Sequence, residues 1–194
     1  MRRTTIVGIT ATILLVASGT AAQARDIEGT DHRDRLVGTR GSDTIHARAG
    51  SDDVNAKSGP DFVGAAAGND AVLLAGGSDY ATGGFGNDRI SGGDGNDYVN
   101  GNQGSDVVRG GSGSDSLVDG EGADTLYGGP GVDYVDLRQG ADWADAGAGN
   151  DWVYLRNDGK RDVVFCGIDN DHVVYINAED SHDELHGCEH TDVQ

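Results

Sequence analysis

An aspartate recurs every nine residues through most of this 194-residue chain, and no insertion or deletion breaks the period. The series begins at Asp34 and ends at Asp151. A glycine lies two residues before each of these repeat aspartates, except that His32 precedes the first, and an aliphatic residue lies two residues after each of them. A short fixed period is typical of a solenoid, in which each repeat packs only against its neighbours. The body of the chain is therefore predicted to be one uninterrupted array.

Each repeat divides into a turn and a short strand. About six residues rich in Gly, Asn and Asp alternate with three residues of the form x-apolar-x. Glycine supplies the positive φ that the turn needs, and a three-residue strand has one side chain that points inward. Two such repeats make one coil, so the predicted fold class is all-β.

Two consecutive repeats, Gly83–Ser91 and Gly92–Asn100, match the pattern Gly-Gly-x-Gly-x-Asp-x-(apolar)-x at every fixed position. On these motifs the chain resembles the repeats-in-toxin family (RTX, or hemolysin-type, calcium-binding nonapeptide repeats) over about residues 29–155. The resemblance implies a parallel β-roll solenoid of about seven two-repeat coils. It also implies Ca²⁺ as the bound cofactor.

In a β-roll of this kind, residues 18 apart stack, so the repeat aspartates form two columns of carboxylates. Two unit charges ~5 Å apart repel by roughly 0.8 kcal/mol even in water. Calcium reverses that effect because it accepts six to eight oxygen ligands at flexible angles, whereas magnesium requires a tighter octahedron. Small inward aliphatic residues offset only part of the chain entropy, so we expect folding to be coupled to calcium binding.

The paired glycines of the motif are concentrated between Gly83 and Gly129, and pairs such as Ala65-Ala66 or Leu74-Ala75 replace them elsewhere. Calcium binding is therefore best localised to the glycine-rich part. The predicted metal ligands there are repeat aspartates and turn glycines: Asp88, Asp97, Asp106, Asp115, Asp124, Asp133, Gly84, Gly86, Gly93, Gly95, Gly111 and Gly113. Further candidate ligands on both sides are Asp70, Asp79, Asp142 and Asp151.

The N-terminus has the features of a secretory signal peptide. Arg2 and Arg3 precede an uncharged apolar stretch over residues 6–17, and Ala22-Gln23-Ala24 is a small-x-small cleavage site. The apolar stretch is shorter than the ~20 residues that span a bilayer. We therefore expect residues 1–24 to be removed, leaving a secreted, extracellular chain with no membrane span.

The C-terminal segment differs from the array. After Arg156 the nine-residue period is lost, and the two cysteines, Cys166 and Cys188, both lie in this segment. In an exported chain these cysteines are expected to form a disulfide. Residues 25–155 are thus predicted to be the calcium-binding β-roll, and residues 156–194 a small disulfide-containing cap over its last coil.

The sequence also bears on three other functional classes. A formal net charge of -19 repels nucleic acid. No nucleophile with a neighbouring base and no phosphate-binding loop is recognisable, so the chain is predicted not to be an enzyme. The alternative to a calcium-binding structural module is recognition of a carbohydrate, cell-surface or other partner by outward aromatic residues that stack at coil spacing. They are Phe62, Tyr80, Tyr98, Tyr134 and Trp152.

Overall fold

The computed structural model describes residues 24–194, so the predicted signal peptide, apart from Ala24, lies outside the described residues. All the regular elements of the described part are β-strands. No helix in residues 24–194 has the length and apolar character needed to cross a membrane.

Within residues 24–194, nineteen strands alternate between two parallel sheets that face each other across the core. The ten-stranded sheet contains β1 Asp26–Glu28, β3 Thr44–His46, β5 Phe62–Ala67, β7 Tyr80–Phe85, β9 Tyr98–Gln103, β11 Ser116–Glu121, β13 Tyr134–Leu137, β15 Trp152–Arg156, β17 His172–Ile176 and β19 His190–Val193. The nine-stranded sheet contains β2 Arg35–Val37, β4 Asp53–Asn55, β6 Ala71–Gly76, β8 Arg89–Asp94, β10 Val107–Ser112, β12 Thr125–Pro130, β14 Trp143–Ala148, β16 Val163–Phe165 and β18 Glu184–His186. The parallel β-solenoid predicted from the repeat is confirmed.

The register between neighbouring coils is 18 residues throughout the repeat array. Leu117, for example, lies opposite Val99 on one side and Val135 on the other. All three side chains are fully buried. The core is therefore a pair of facing ladders of aliphatic residues, and each coil buries its apolar side chains against the coils before and after it.

The strands are longer than the three residues expected. From β5 to β12 each strand has six residues, because the first three residues of the next repeat continue to pair with the adjacent coils. A second inward position results, two residues after the aliphatic one. In β8, Ile90 and Gly92 both point inward, whereas Arg89, Ser91 and Asp94 do not.

The segment after Arg156 adds coils to the solenoid instead of only covering it, so the molecule has about nine coils and not seven. Val164 lies opposite Ala144, and Val173 lies opposite Val153, so the aliphatic ladders continue. The period is lost because residues are inserted in the turns, which does not disturb the register of the strands. The last strands of the two sheets, β18 and β19, form the C-terminal end of the solenoid.

The expected disulfide is present between Cys166 and Cys188. The two cysteines follow β16 and β18, which are neighbours in the nine-stranded sheet. The backbone N–H of Cys166 also donates to the carbonyl of His186 at 3.0 Å. The disulfide therefore ties the final coil to the one before it.

Candidate metal centre

The repeat aspartates form two buried columns, one along each edge where the chain turns into a strand. In each column one carboxylate oxygen joins adjacent coils: the backbone N–H of Asp88 donates to Oδ1 of Asp106, and the N–H of Asp106 donates to Oδ1 of Asp124, both at 2.7 Å. The N–H of Asp97 donates in the same way to Oδ1 of Asp115 in the other column, at 2.8 Å. One oxygen of each carboxylate is thus used to hold the coils together.

The second carboxylate oxygen has no such partner. In the described residues, fourteen aspartates share a buried Oδ2 that accepts no hydrogen bond. They are Asp52, Asp61, Asp70, Asp79, Asp88, Asp97, Asp106, Asp115, Asp124, Asp133, Asp142, Asp151, Asp171 and Asp183. A buried anionic oxygen without a partner is strongly unfavourable, so these atoms identify where a cation is needed. Every aspartate named as a ligand from the sequence belongs to this set.

The first two repeat aspartates satisfy their second oxygen differently. Oδ2 of Asp34 accepts from the backbone N–H of Thr30, at 2.5 Å, and from its hydroxyl, at 2.9 Å. Oδ2 of Asp43 accepts from the same two groups of Thr39, at 2.5 and 3.0 Å. Protein donors therefore replace a cation at these two positions of the N-terminal coils.

The inward glycine position, five residues before each repeat aspartate, decides what lies beside Oδ2. A Cβ added to Gly101 would lie 2.5 Å from Oδ2 of Asp106 and 2.8 Å from the carbonyl oxygen of Asp119. Carboxylate and backbone carbonyl oxygens are the hard ligands that calcium prefers. A glycine at this position thus leaves room beside a set of calcium-type ligands, which fits the ion implied by the repeat.

Two kinds of repeat follow from the inward glycine position. Glycine occupies it in five repeats of the central part: Gly83, Gly92, Gly101, Gly110 and Gly128. A buried apolar side chain occupies it in six other repeats: Ala47, Ala56, Ala65, Leu74, Leu137 and Ala146. Four predicted ligands, Asp70, Asp79, Asp142 and Asp151, follow apolar residues of the second kind. Their ligand role stays a prediction, and a buried apolar side chain stands in place of glycine at the inward position before each of them.

The turn glycines named as ligands have a clear backbone role. Gly84, Gly93 and Gly111 have φ between 113° and 117°, and Gly86, Gly95 and Gly113 have φ between 118° and 132°. A Cβ at any of the six would collide with the backbone of the coil 18 residues earlier. Glycine therefore permits close stacking of the turns without a Cβ clash, and close stacking brings the carbonyls of adjacent coils beside the carboxylates.

Burial changes the acidity of the columns. Desolvation, opposed by the hydrogen bond from the preceding coil and reinforced by neighbouring aspartates, raises the pKa of Asp88, Asp124 and Asp133 to about 7. Desolvation also raises the pKa of Asp52 and Asp79 to about 6. Without a cation, the folded coils therefore hold protons that the same groups release in an unfolded chain.

Four acidic residues of the site were not recognised from the sequence. Asp162, Asp171 and Asp183 extend the columns beyond the array: Asp162 and Asp171 accept from Asp142 and Asp151 at 2.9 Å, and Asp183 accepts from Asp162 at 3.0 Å. Their spacing is 20 or 21 residues, not 18. The recurring signal is Asp-x-apolar, as in Asp162-Val163-Val164. The fourth residue, Asp119, occupies the inward glycine position and is fully buried.

The outward aromatic residues form stacks along the ten-stranded sheet. The ring centroids of Phe62 and Tyr80 are 5.0 Å apart with an interplanar angle of 3°, and those of Tyr80 and Tyr98 are 4.8 Å apart at 7°. Ser116 occupies the next place in this row, and a second stack follows from Tyr134. The faces of the rings cover one another, which favours cross-strand pairing over a flat platform for sugar rings.

Replacing a strained alanine by glycine should stabilise the array. Ala75 has φ of 79°, a conformation that costs a residue with a Cβ about 1 kcal/mol. We expect Ala75→Gly to raise the free energy of unfolding in calcium by about 1 kcal/mol, measured by urea denaturation. Ala81→Gly is the control: Ala81 is buried in the aliphatic ladder and lies outside the left-handed region, so its loss should cost about 1 kcal/mol. A loss of stability in Ala75→Gly would contradict the strain.

Comparison with known proteins agrees with this geometry. A family model described as RTX calcium-binding nonapeptide repeat matches four times, at residues 28–63, 74–108, 109–144 and 138–158. No curated protein matches the chain. The matches cover more than half of the chain and include all the glycine repeats of the central part. The chain therefore belongs to the RTX calcium-binding nonapeptide repeat family, and Ca²⁺ is the cofactor of its repeats.

Proposed function

We propose that this protein is a secreted β-roll whose folding is coupled to the Ca²⁺ that it binds between stacked turns. The observation that carries the proposal is the set of buried Oδ2 atoms without hydrogen-bond partners in the described residues. At neutral pH these carboxylates must be ionised in an unfolded chain, and burying them without counter-ions is strongly unfavourable. A cation that binds only the folded array stabilises it by mass action.

The repeat aspartates have two roles in this proposal. Oδ1 of each accepts the backbone N–H of the preceding coil and so fixes the register, as Asp115 does for Asp97. Oδ2, together with turn carbonyls, would hold the ion. Calcium would supply positive charge that neutralises both columns and lets the coils approach. Because each bound ion would contact adjacent coils, filling of sites and stacking of coils would proceed together.

Secretion is part of the same proposal. RTX repeat proteins are typically extracellular, and calcium at 10⁻⁴–10⁻³ M, the range of extracellular sites, is available there. The Cys166–Cys188 disulfide suits an oxidising compartment. The chain would leave the cell unfolded and fold where calcium is abundant. A binding role and no catalytic one is proposed, because the two columns account for the buried repeat aspartates.

Calorimetric titration of the chelator-treated protein with CaCl₂ tests this function. We expect several ions per chain, a folding enthalpy that accompanies binding, and β-sheet formation in the far-ultraviolet circular dichroism of the same samples. Magnesium at equal concentration is the control and should produce little of either signal, since it requires a tighter octahedron. Calcium binding without any change in the spectrum would contradict coupled folding, and no binding would contradict the function itself.

A further inference from the structure

Asp119 departs from the repeat pattern at a position whose side chain points into the core. It occupies the inward glycine position, between the repeats that have Gly110 and Gly128 there. The residue is 0% exposed, as is Leu117 of the aliphatic core. An ionised or polar group at such a position is unfavourable unless something compensates its charge.

The Asp119 carboxylate converges with two repeat aspartates of adjacent coils. One carboxylate oxygen from each of Asp119, Asp124 and Asp142 lies within 4.8 Å of the others. Asp124 and Asp142 are 3% and 2% exposed, and both belong to the set whose Oδ2 accepts no hydrogen bond. The cluster thus contains two buried oxygens that have no partner and a third carboxylate that the repeat pattern does not require.

The chain changes locally to hold Asp119. The backbone N–H of Arg138 donates to both carboxylate oxygens of Asp119, each at 3.0 Å, and the N–H of Gly120 donates to Oδ1. Strand β13 stops at Leu137, so it has four residues where each of the strands β5 to β12 has six. Arg138 does not have the positive φ found at the corresponding residues Arg48 and Lys57. The Asp119 carboxylate is therefore positioned by backbone donors of two coils.

No side chain of the described part neutralises this cluster. Arg138 contacts Asp119 through its backbone, but its side chain pairs through Nε with Asp136 at 3.0 Å, and Arg156 pairs with the same Asp136 carboxylate. No Lys, Arg or His in residues 24–194 forms an ion pair with Asp119, Asp124 or Asp142. Backbone N–H groups orient the Asp119 carboxylate, but they do not supply the positive charge needed to neutralise three carboxylates.

The spacing of the three oxygens suits a calcium-sized ion. Calcium–oxygen distances of about 2.3–2.6 Å place ligands on opposite sides of the ion roughly 4.6–5.2 Å apart and neighbouring ligands closer. Separations within 4.8 Å agree with that range. Magnesium requires a near-ideal octahedron at about 2.0–2.1 Å, which oxygens held by a fixed backbone satisfy less readily.

We propose that Asp119, Asp124 and Asp142 bind one calcium ion inside the solenoid, in a three-carboxylate site that is the tightest of the chain. The inference rests on the proposed calcium function and identifies where the first ion binds. The glycine repeats present one unpartnered carboxylate oxygen beside turn carbonyls, whereas this site presents three carboxylates. Calcium affinity rises with the number of charged ligands and with their rigidity. The competing occupant is a proton shared between Asp119 and Asp142, which would not contribute to calcium binding.

Two substitutions of Asp119 test the site by calorimetric titration with CaCl₂. Asp119→Asn retains the shape and an oxygen acceptor but removes the charge. Asp119→Gly introduces the residue present at this position in the repeats on both sides, so it is expected to fold even if the asparagine variant does not. Both should weaken the tightest calcium ion at least ~10-fold, because one of three carboxylates is lost. Glu121→Gln is the matched control. Glu121 lies two residues after Asp119 and is exposed, and its substitution removes the same single negative charge.

The outcomes separate this inference from the proposed function. A tight ion in the native protein and in Glu121→Gln that is weakened in both Asp119 variants supports the three-carboxylate site. Identical isotherms for all four proteins, with calcium bound, would overturn the site and leave the proposed function intact. No calcium binding by any of the four would overturn the proposed function, and this inference with it.

Discussion

At about pH 7.5, removal of calcium with a chelator is expected to abolish most of the β-sheet circular dichroism, and lowering the pH to about 5 in the same chelator is expected to restore part of it. The reason is the raised pKa of the buried column. Asp88, Asp124 and Asp133 have a pKa of about 7 in the folded coils against a usual value of 3.8. The folded chain therefore binds protons more tightly than the unfolded chain does.

The direction of the pH effect follows from this difference. A group whose pKa is raised on folding contributes its full stabilisation below its unfolded pKa, near 4, and loses it as the pH rises through its folded pKa. For these aspartates the stabilisation of the calcium-free fold is thus complete below about pH 4, declines as the pH rises, and is lost above about pH 7. With calcium present the dependence reverses, because protons then compete with the ion for the same oxygens.

The measurement is a pair of circular-dichroism titrations. One follows pH from about 8 to 4.5 in chelator, and the other follows calcium concentration at about pH 7.5 and pH 5.5. The calcium midpoint should be higher at the lower pH. A chelator-treated protein that keeps its full β-sheet signal at neutral pH would contradict coupled folding, and a signal that falls further on acidification would contradict the raised pKa values.

Gly110→Ala should remove one calcium ion and destabilise the array by roughly 4–6 kcal/mol in excess calcium. The added methyl would lie 2.8 Å from the carbonyl oxygen of Gly128 and still closer to Oδ2 of Asp115. Overpacking of this kind costs about 1–3 kcal/mol. Loss of an ion that is present at ~100 times its dissociation constant costs about 2.7 kcal/mol more. Gly110 lies outside the left-handed region of φ, so backbone strain does not contribute.

Gly64→Ala is the matched control for this substitution. Gly64 faces outward from a strand, also with ordinary φ, and its added Cβ would meet no atom closer than Nδ1 of His46 at 3.7 Å. The same change there should alter the free energy of unfolding by less than about 1 kcal/mol, in the stabilising direction. Urea denaturation in calcium and calorimetric stoichiometry measure both variants. Equal effects at Gly110 and Gly64 would show that the inward glycine position has no special role in binding.

The apolar repeats provide a natural comparison for Gly110→Ala. Ala65 and Leu74 already occupy the inward glycine position before Asp70 and Asp79, and their side chains are fully buried. In these coils the inward position buries apolar surface. In the central coils glycine at the same position leaves space beside Oδ2 of the aspartate. The inward position changes abruptly from Leu74 to Gly83 and again from Gly128 to Leu137, so the core is apolar in some coils and leaves room beside carboxylates in others.

The sequence by itself determined the solenoid, its 18-residue register and the two aspartate columns from Asp34 to Asp151. It could do so because a strict nine-residue phase places the same residue type at the same point of every coil, whatever the details of the turns. The family resemblance added calcium. The glycine-rich stretch between Gly83 and Gly129 was also recognisable, since turns that need positive φ are usually occupied by glycine.

Only the tertiary structure decided which residues lie beside the free carboxylate oxygens. Strands of six residues create a second inward position, so Leu74 fills a place that Gly101 leaves open, and Asp119 enters the core. Asp119 and Asp142 are far apart in the nine-residue pattern and meet only because adjacent coils stack. The continuation of the columns through Asp162 and Asp171 was likewise hidden, because insertions change the spacing along the chain while hydrogen bonds between coils preserve the register.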